Sequence, residues 1–337
     1  MINENIKNGI LISVIIPCRN EKKHIEECLR SLLSQDFPQG EYEVLVVDGL
    51  SSDGTREILN QLATENQLIH VIDNEKKTTP AAMNLGIRNA SGENIAICGA
   101  HSKYDSKFLS SAIELLQNHK DVGCVGGPIY SVGENDFAKA VAYAMSSSIG
   151  VGNAKHRFPD YEGYAEMACF PMFRREVFDK IGYYDESLIR NQDDEFSLRF
   201  RLSGGKVFIS PRVKSLYYVR NSPRKLFKQY FNYGFWRWIV IKKHKIQISY
   251  RQVIPSLFII SVLFFIFVGL VFKSYPIIFV IPSCYLVIIA AFSFRIALKE
   301  SFKIGILFYA SVVILHFSYG IGVIYSYLRD KFNIYWK

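Results

Sequence analysis

The chain opens with short apolar runs that each end in a polar cluster, and it closes with three long stretches almost free of charge. Leu11-Ile12-Ser13-Val14-Ile15-Ile16 is rich in β-branched residues and stops at Pro17, ahead of Cys18-Arg19-Asn20-Glu21, which predicts a buried strand. Ile25, Cys28, Leu29, Leu32 and Leu33 follow at three- and four-residue spacing, the period of a helix with one apolar face. Tyr42-Glu43-Val44-Leu45-Val46-Val47 predicts a second strand that runs into Asp48-Gly49-Leu50-Ser51-Ser52-Asp53-Gly54-Thr55. Strand, helix, strand at this spacing is a βαβ unit with parallel strands. In open parallel sheets ligands bind beyond the carboxyl ends of the strands, where Asn20-Glu21 and the acids Asp48 and Asp53 fall.

The α/β pattern continues. Residues 68–72 predict a strand, and Pro80 opens a helix from its first turn. Residues 94–98 predict another strand, ending in Gly99-Ala100-His101-Ser102, and Cys124-Val125-Gly126-Gly127-Pro128 ends a further one. Asp193-Asp194-Glu195 precede a helix over 196–203 that Gly204-Gly205 closes; acids there suit the helix dipole. No strand is followed by GxGxxG and there is no GxxxxGK[ST], so neither a dinucleotide fingerprint nor a P-loop is present.

Residues 255–272, 276–294 and 304–328 are runs of 18, 19 and 25 residues without Asp, Glu, Lys or Arg. About 17–25 apolar residues cross a bilayer core, so three spans are expected. At roughly 150 residues per domain the 337 residues allow about two domains. The expected organisation is a domain over 1–215, a basic amphipathic segment over 216–252, a transmembrane region over 253–329 and a tail over 330–337. The six cysteines show no CxxC pairing or ligand spacing, which reads as reduced thiols facing the cytosol. Met1-Ile2-Asn3-Glu4-Asn5 has no signal-peptide apolar core, so the N-terminal domain is expected to be cytoplasmic and the protein a multi-pass inner (plasma) membrane protein.

Charge is unevenly spread. Residues 1–195 carry 19 Lys+Arg against 29 Asp+Glu, a net of −10, and no acid occurs from Phe196 to Lys299. Between Arg199 and Arg251 there are 14 basic residues, among them Arg220, Arg224, Lys225, Lys228, Arg237, Lys242, Lys243 and Lys245. Because this stretch leads into hydrophobic spans, its expected partner is anionic lipid headgroups and not nucleic acid. Leu226-Phe227-Lys228-Gln229-Tyr230-Phe231 and Phe235-Trp236-Arg237-Trp238 suit a helix in the interface. With the N-terminal domain inside, the 295–303 loop is cytoplasmic, as the positive-inside rule prefers. Three crossings would place the basic stretch 329–337 outside. His316 and Tyr319, with Gly320 and Gly322 beside them, are a functional or packing signal in the third span.

Ser13 to Glu21 together with Val46 to Thr55 resembles the opening of family-2 inverting glycosyltransferases of the GT-A fold. Arg190-Asn191-Gln192-Asp193-Asp194-Glu195, the Gln229-Tyr230 and Tyr233-Gly234-Phe235-Trp236-Arg237 cluster, and His316-Phe317-Ser318-Tyr319-Gly320-Ile321-Gly322 resemble the membrane-anchored bacterial exopolysaccharide branch of the succinoglycan-synthesis type. The resemblance implies a Rossmann-like, mostly parallel sheet followed by a helical membrane region. It implies transfer of a hexose from a nucleotide-diphosphate sugar, UDP-glucose or a similar UDP-hexose, to a polyprenyl-linked saccharide, with other glycan-assembly enzymes as further partners.

Position by position, the resemblance assigns Pro17, Asn20, Glu21, Asp48, Asp53 and Ala100 to the donor pocket. Carboxylates suit a base N–H and ribose hydroxyls, although Ser52-Asp53 also suits a helix N-cap. Arg237 is the candidate for the diphosphate, since Arg forks onto phosphate oxygens, or for a lipid headgroup. The family's Asp-x-Asp metal position reads Gly99-Ala100-His101 here. That leaves His101 as the candidate ligand for a divalent cation, Mn²⁺ or Mg²⁺, with imidazole favouring Mn²⁺. Asp193 is the expected general base, with Asp194 its rival and Gln192 in place of the motif's Glu. Gly150, Gly152, His156 and Arg157 fall at a mobile loop over the donor, and Asp185-Glu186 at the acceptor side or in a turn. Alternatives are a processive synthase, for which three spans are few and Gln-x-x-Arg-Trp is absent, and a non-catalytic nucleotide-sugar-binding scaffold.

Overall fold

The structure is a computed structural model that describes residues 9–245 and 250–333. In chain order its elements are β1 (Ile12–Cys18), α1 (Ile25–Leu33), β2 (Tyr42–Asp48), α2 (Thr55–Glu65), β3 (Ile69–Asp73), α3 (Thr79–Asn89), β4 (Asn94–Ile97), β5 (Ser102–Tyr104), α4 (Phe108–Asn118), β6 (Cys124–Gly127), β7 (Tyr130–Val132), α5 (Asp136–Met145), α6 (Ser148–Val151), β8 (Gly163–Ala165), β9 (Cys169–Arg174), α7 (Glu176–Ile181), α8 (Gln192–Leu202), β10 (Val207–Ile209), β11 (Ser215–Tyr218), α9 (Pro223–His244), α10 (Ile254–Val271), α11 (Pro276–Lys299) and α12 (Phe302–Lys331). They gather into two units, one of residues up to 130 with 155–217, the other of 131–154 with residues from 218 onwards.

The first unit is built on an eight-stranded sheet in the order β3-β2-β1-β4-β9-β6-β10-β8. β1 pairs in parallel with β2 on one side and β4 on the other, while β9 is antiparallel to both β4 and β6, and β8 to β10. The carboxyl ends of β1, β2, β4 and β6 therefore share one edge with the start of β9. Alternation along β1 builds two cores. Ile12, Val14 and Ile16 pack with Ile25, Leu29 and Leu32 of α1 and Phe108 of α4. Ile15 faces the other way, with Leu45, Met83, Phe196 and Phe200. Buried polar residues of neighbouring strands bond each other: the Ser13 hydroxyl donates to Glu43 Oε1 at 2.6 Å, and the Gly92 and Ser91 amides donate to Ser13 and Glu43 at 2.8 and 2.6 Å. That satisfied network fixes which way each strand faces, because a one-residue slip would bury the wrong set.

In the second unit α9, α10, α11 and α5 all pack on α12. A Cβ at Gly234 of α9 would lie 2.0 Å from the Tyr319 carbonyl oxygen, and one at Gly322 would lie 2.2 Å from that of Phe231. The two backbones touch. Three helices, α10, α11 and α12, are long and apolar enough to cross a membrane. The bounds differ from the expected runs by a few residues, most at the end of α11, which runs on to Lys299.

Two expectations are corrected here. Residues 131–154 do not stay with the 1–215 domain. The face of α5 formed by Ala138, Val141, Ala144 and Met145 is buried, and Asp136 pairs with Lys303 at 2.6 Å. Nor is 150–157 an open loop: Gly150 lies in α6, with its Cβ position 2.0 Å from the Ala144 oxygen, and His156 is buried.

Phe196 anchors the second core through Tyr184, Phe173 and Phe178, with ring centroids at 4.4, 5.3 and 5.3 Å. Phe196→Ala is expected to destabilise the protein by about 3–5 kcal/mol, read as a lowered melting temperature of the detergent-solubilised chain.

Candidate functional site

The loops after β1 and β2 are sewn together beyond the sheet. The Asn20 amide donates to Ser51 Oγ at 2.8 Å, and Asn20 Oδ1 accepts from the Ser52 amide at 2.9 Å. The Glu21 amide donates to Thr55 Oγ1 at 2.9 Å, and the Lys22 amide to Asp53 Oδ2 at 3.3 Å. Asp53 also accepts from the Thr55 hydroxyl at 2.5 Å and amide at 3.1 Å, and these bonds, led by the hydroxyl, hold its carboxyl below the usual range. Asp48 is fully buried and accepts from the Ser51 hydroxyl at 2.6 Å and Arg56 Nη1 at 3.1 Å, and Arg56 pairs with Asp73 as well. Pro17 sits in β1 opposite Val47. The edge thus gathers Pro17, Asn20, Glu21, Asp48 and Asp53, with both acids already holding the loops.

Backbone strain collects at this same edge. Among its described residues the first unit has five non-glycine residues with left-handed φ: Asn20, Leu50, Lys77, Phe170 and Asn191, at 56°, 55°, 57°, 44° and 59°. They follow β1, β2 and β3, open β9 and precede α8. Leucine and phenylalanine rarely adopt this region, and such strain clusters at functional sites.

After β4 the chain enters Gly99-Ala100-His101. The Gly99 amide donates to the Tyr104 hydroxyl at 2.7 Å, and the Gly99 oxygen accepts from Cys28 Sγ at 3.4 Å. A Cβ at Gly99 would stand 2.8 Å from Cε1 of Phe170. An aromatic edge occupies the space that a carboxylate side chain would need. Ala100 is buried, and His101 is about one-third exposed with its Nδ1 3.4 Å from Glu21 Oε1 and its ring centroid 5.8 Å from that of Tyr217. Among the described residues no three His, Cys, Asp or Glu side chains gather as a metal cluster. One imidazole oriented by a carboxylate fits an ion that draws its remaining ligands from substrate and water. A carboxylate on one ring nitrogen orients the imidazole and leaves the other for the ion.

α8 supplies the acids. It starts at Gln192, one turn earlier than expected, with Asp193, Asp194 and Glu195 in its first turn. Glu195 is fully buried and grips Arg199 at 2.7 and 3.1 Å; Arg199 in turn donates to the Ile181 and Tyr183 oxygens at 2.5 and 2.7 Å. Asn84 of α3 holds the next turn, bonding both the amide and the oxygen of Tyr184 at 2.9 Å. On this frame Asp193 is exposed, and its Oδ1 accepts from the Asp194 amide at 2.9 Å. Asp193 lies within electrostatic reach of Cys169 at the start of β9, whose thiol is pushed up to about 12 mainly by burial. Gln192 Oε1 is buried without a hydrogen-bond partner.

Other candidates lie elsewhere or have other work. Asp185 closes a turn by accepting from Ser187, and Glu186 pairs with Lys76 at 2.6 Å and Asn84 at 3.0 Å. Arg237 belongs to the second unit, on the buried side of α9. Sequence reasoning missed Phe170, Arg56, Tyr104 and Asn84. Only Asn84, a buried polar residue on an apolar helix face, left any signal.

An open, mostly parallel sheet with its acids and strained loops at one edge is the GT-A architecture. The chain belongs to glycosyl transferase family 2, whose family model matches residues 13–182, and the protein is a glycosyltransferase. It is 34% identical over 245 residues to the succinoglycan biosynthesis protein ExoA of Rhizobium meliloti, covering 72% of this chain and 73% of that one. It is 32% identical over 275 residues to a dolichyl N-acetyl-alpha-D-glucosaminyl phosphate 3-beta-D-2,3-diacetamido-2,3-dideoxy-beta-D-glucuronosyltransferase of Methanococcus voltae, covering 78% and 84%. Among solved structures, the mannosyltransferase PcManGT of Pyrobaculum calidifontis, in complex with GDP-Man and Mn²⁺, matches with a TM-score of 0.60 at 17% identity, over 95% of this chain and 87% of that one. TarS 1–349 of S. aureus, in complex with UDP-GlcNAc, matches with a TM-score of 0.51 at 17% identity, over 97% and 93%.

The Gly99–Phe170 contact is directly testable. Gly99→Asp is expected to lower the melting temperature, and Phe170→Ala to relieve that added loss. The double-mutant cycle should show a coupling of about 0.5–3 kcal/mol; purely additive effects would contradict the packing.

Proposed function

We propose that this chain moves a sugar from a nucleotide-diphosphate donor, UDP-glucose or a similar UDP-hexose, to a lipid-linked saccharide, with inversion at the sugar carbon. The observation that carries this reading is the placement of Asp193. It is exposed, in the first turn of a helix fixed through Glu195–Arg199. Relatives support the class of acceptor: one is named for succinoglycan biosynthesis, another for transfer onto a dolichyl-phosphate-linked sugar.

The donor's base and ribose would lie along the tied loops, against Pro17, Asn20, Glu21, Asp48, Asp53 and Ala100. Asp193 would take the acceptor hydroxyl's proton as its oxygen attacks the anomeric carbon, while the bond from that carbon to the diphosphate oxygen breaks. One base on the face opposite the leaving group suffices for inversion. Gln192 offers its orphaned oxygen to a substrate hydroxyl, since a buried acceptor without a partner wants a donor. His101, oriented by Glu21, would hold a divalent cation, which when bound neutralises the charge of the leaving diphosphate. The exposed Arg224, Lys225 and Lys228 of α9 suit anionic headgroups.

Asp193→Asn should keep donor affinity and lose transfer by about 10²–10⁴-fold, the usual worth of a general base. Normal turnover in that variant, with loss in Asp194→Asn, would move the base by one residue. Excess chelator should abolish transfer and Mn²⁺ restore it. Full activity in chelator would remove the cation from the scheme and leave the base untouched.

A further inference from the structure

Both ends of α12 are anchored to segments that precede the first hydrophobic span. At the start of α12, Lys303 pairs with Asp136 at 2.6 Å, and Glu300 beside it bonds the Tyr143 hydroxyl. At its middle, α12 packs on α6 and the His316 ring meets the Tyr285 hydroxyl of α11 at 3.0 Å. At its end, Asp330 pairs with Lys242 at 2.5 Å, and the Arg329 guanidinium lies 5.5 Å from the ring centroid of Phe235. Between these, Gly234 and Gly322 bring α9 and α12 into backbone contact. The surface ion pairs are individually weak, but together with the backbone packing they fix position along the whole helix.

Residues 136–150 and 235–242 all precede α10, whose 18 residues form the first helix long and apolar enough to cross a membrane. For α12 to cross, its two ends would lie on opposite sides, and so would Asp136 and Lys242. The described chain between them would then need a crossing of its own. α9 cannot supply it: Arg224, Lys225, Lys228, Arg237, Lys242 and Lys243 leave no uncharged run longer than 8 residues, against the roughly 17–25 a span needs. α5 and α6, with 10 and 4 residues, are too short. Burial agrees. Only 11% of the apolar window of α10 and of α11 is covered by protein, against 44% for α12.

We infer that the chain crosses the bilayer twice, by the α10–α11 hairpin, and that α12 does not cross. The exposed apolar flanks of α10 (Leu263, Phe264, Phe267) and α11 (Phe279, Val280, Val287) face acyl chains. Both ends of α12, with Arg329 and Lys331, lie on the side of the N-terminal domain, and the turn at Lys273-Ser274 lies on the far side. This gives the cationic tail the inside position that a three-span arrangement denies it.

The test is cysteine accessibility on the full chain, with the exposed native Cys284 replaced by Ala. Ser274→Cys, Asn333→Cys and, as the N-terminal-domain control, Asn60→Cys are treated with a membrane-impermeant maleimide in spheroplasts and again after permeabilisation. Ser274→Cys should react in intact spheroplasts, whereas Asn333→Cys and Asn60→Cys should react only once the membrane is opened. Labelling of Asn333→Cys in intact spheroplasts would overturn the inference, and so would protection of Ser274→Cys. A C-terminal fusion read separately, fluorescent with GFP and inactive with alkaline phosphatase, decides the same point without any substitution. An active phosphatase would refute it.

Discussion

β1 is hydrogen-bonded in parallel along both of its edges, and the first unit depends on that register. Cys18 opposite Asp48, and Asp48 opposite Asp73, bring the ends of β1, β2 and β3 to one level, so the loops that leave them must meet. The register is held from inside by Ser13, Glu43 and the amides of Ser91 and Gly92. Polar groups buried in a sheet are costly unless every one is satisfied, and here each is, in only one alignment. The tied loops beyond the edge, Asn20 to Ser51 and Ser52, Glu21 to Thr55 and Lys22 to Asp53, follow from that alignment.

Strain at the edge has the same origin. Asn20, Leu50 and Lys77 each turn the chain out of a parallel strand within a few residues, in left-handed geometry that only asparagine adopts readily. Phe170 turns β9 into the sheet and in doing so lays its ring against Gly99. Among its described residues the first unit has no left-handed non-glycine residue apart from these and Asn191. A packed sheet can hold such geometry because the surrounding contacts over-determine it, and the result is a rigid rim of backbone and hydroxyl groups. Rigidity suits a site that must discriminate between similar sugar nucleotides.

Much of this was legible in the sequence. β1 and β2 announce themselves by continuous apolar runs rich in β-branched residues that stop at polar residues, β3, β4 and β6 by shorter apolar stretches, and Ile25 to Leu33 by its helical period. The three-residue strands β8 and β10 and the four-residue β11 are too short to leave a period, and the antiparallel insertion of β9 between β4 and β6 is a long-range pairing that no local pattern encodes. The acids of the site were visible as acids; their partners were not. Arg56 reads as an ordinary helix residue until Asp48 and Asp73 are placed beside it. Gly99 reads as a lost ligand until Phe170 is seen filling the gap. Arg237 reads as a surface cation, yet it is buried on α9, because helical spacing alone does not say which face of a mixed aromatic helix finds a neighbour.

The excursion over 131–154 sets an order on biosynthesis. Tyr143 and its partner Glu300 are 157 positions apart, so at about 5–20 residues per second α5 leaves the ribosome roughly 8–30 s before the helix that covers it is made. During that interval Ala138, Val141, Ala144 and Met145 form a naked oily stripe on a nascent chain. Their cover is α12, which is translated only after the whole sheet unit. A ribosome that stalls, or a gene that stops, before α12 would release a chain with a finished catalytic fold and an unquenched sticky arm, a natural client for chaperones and proteases.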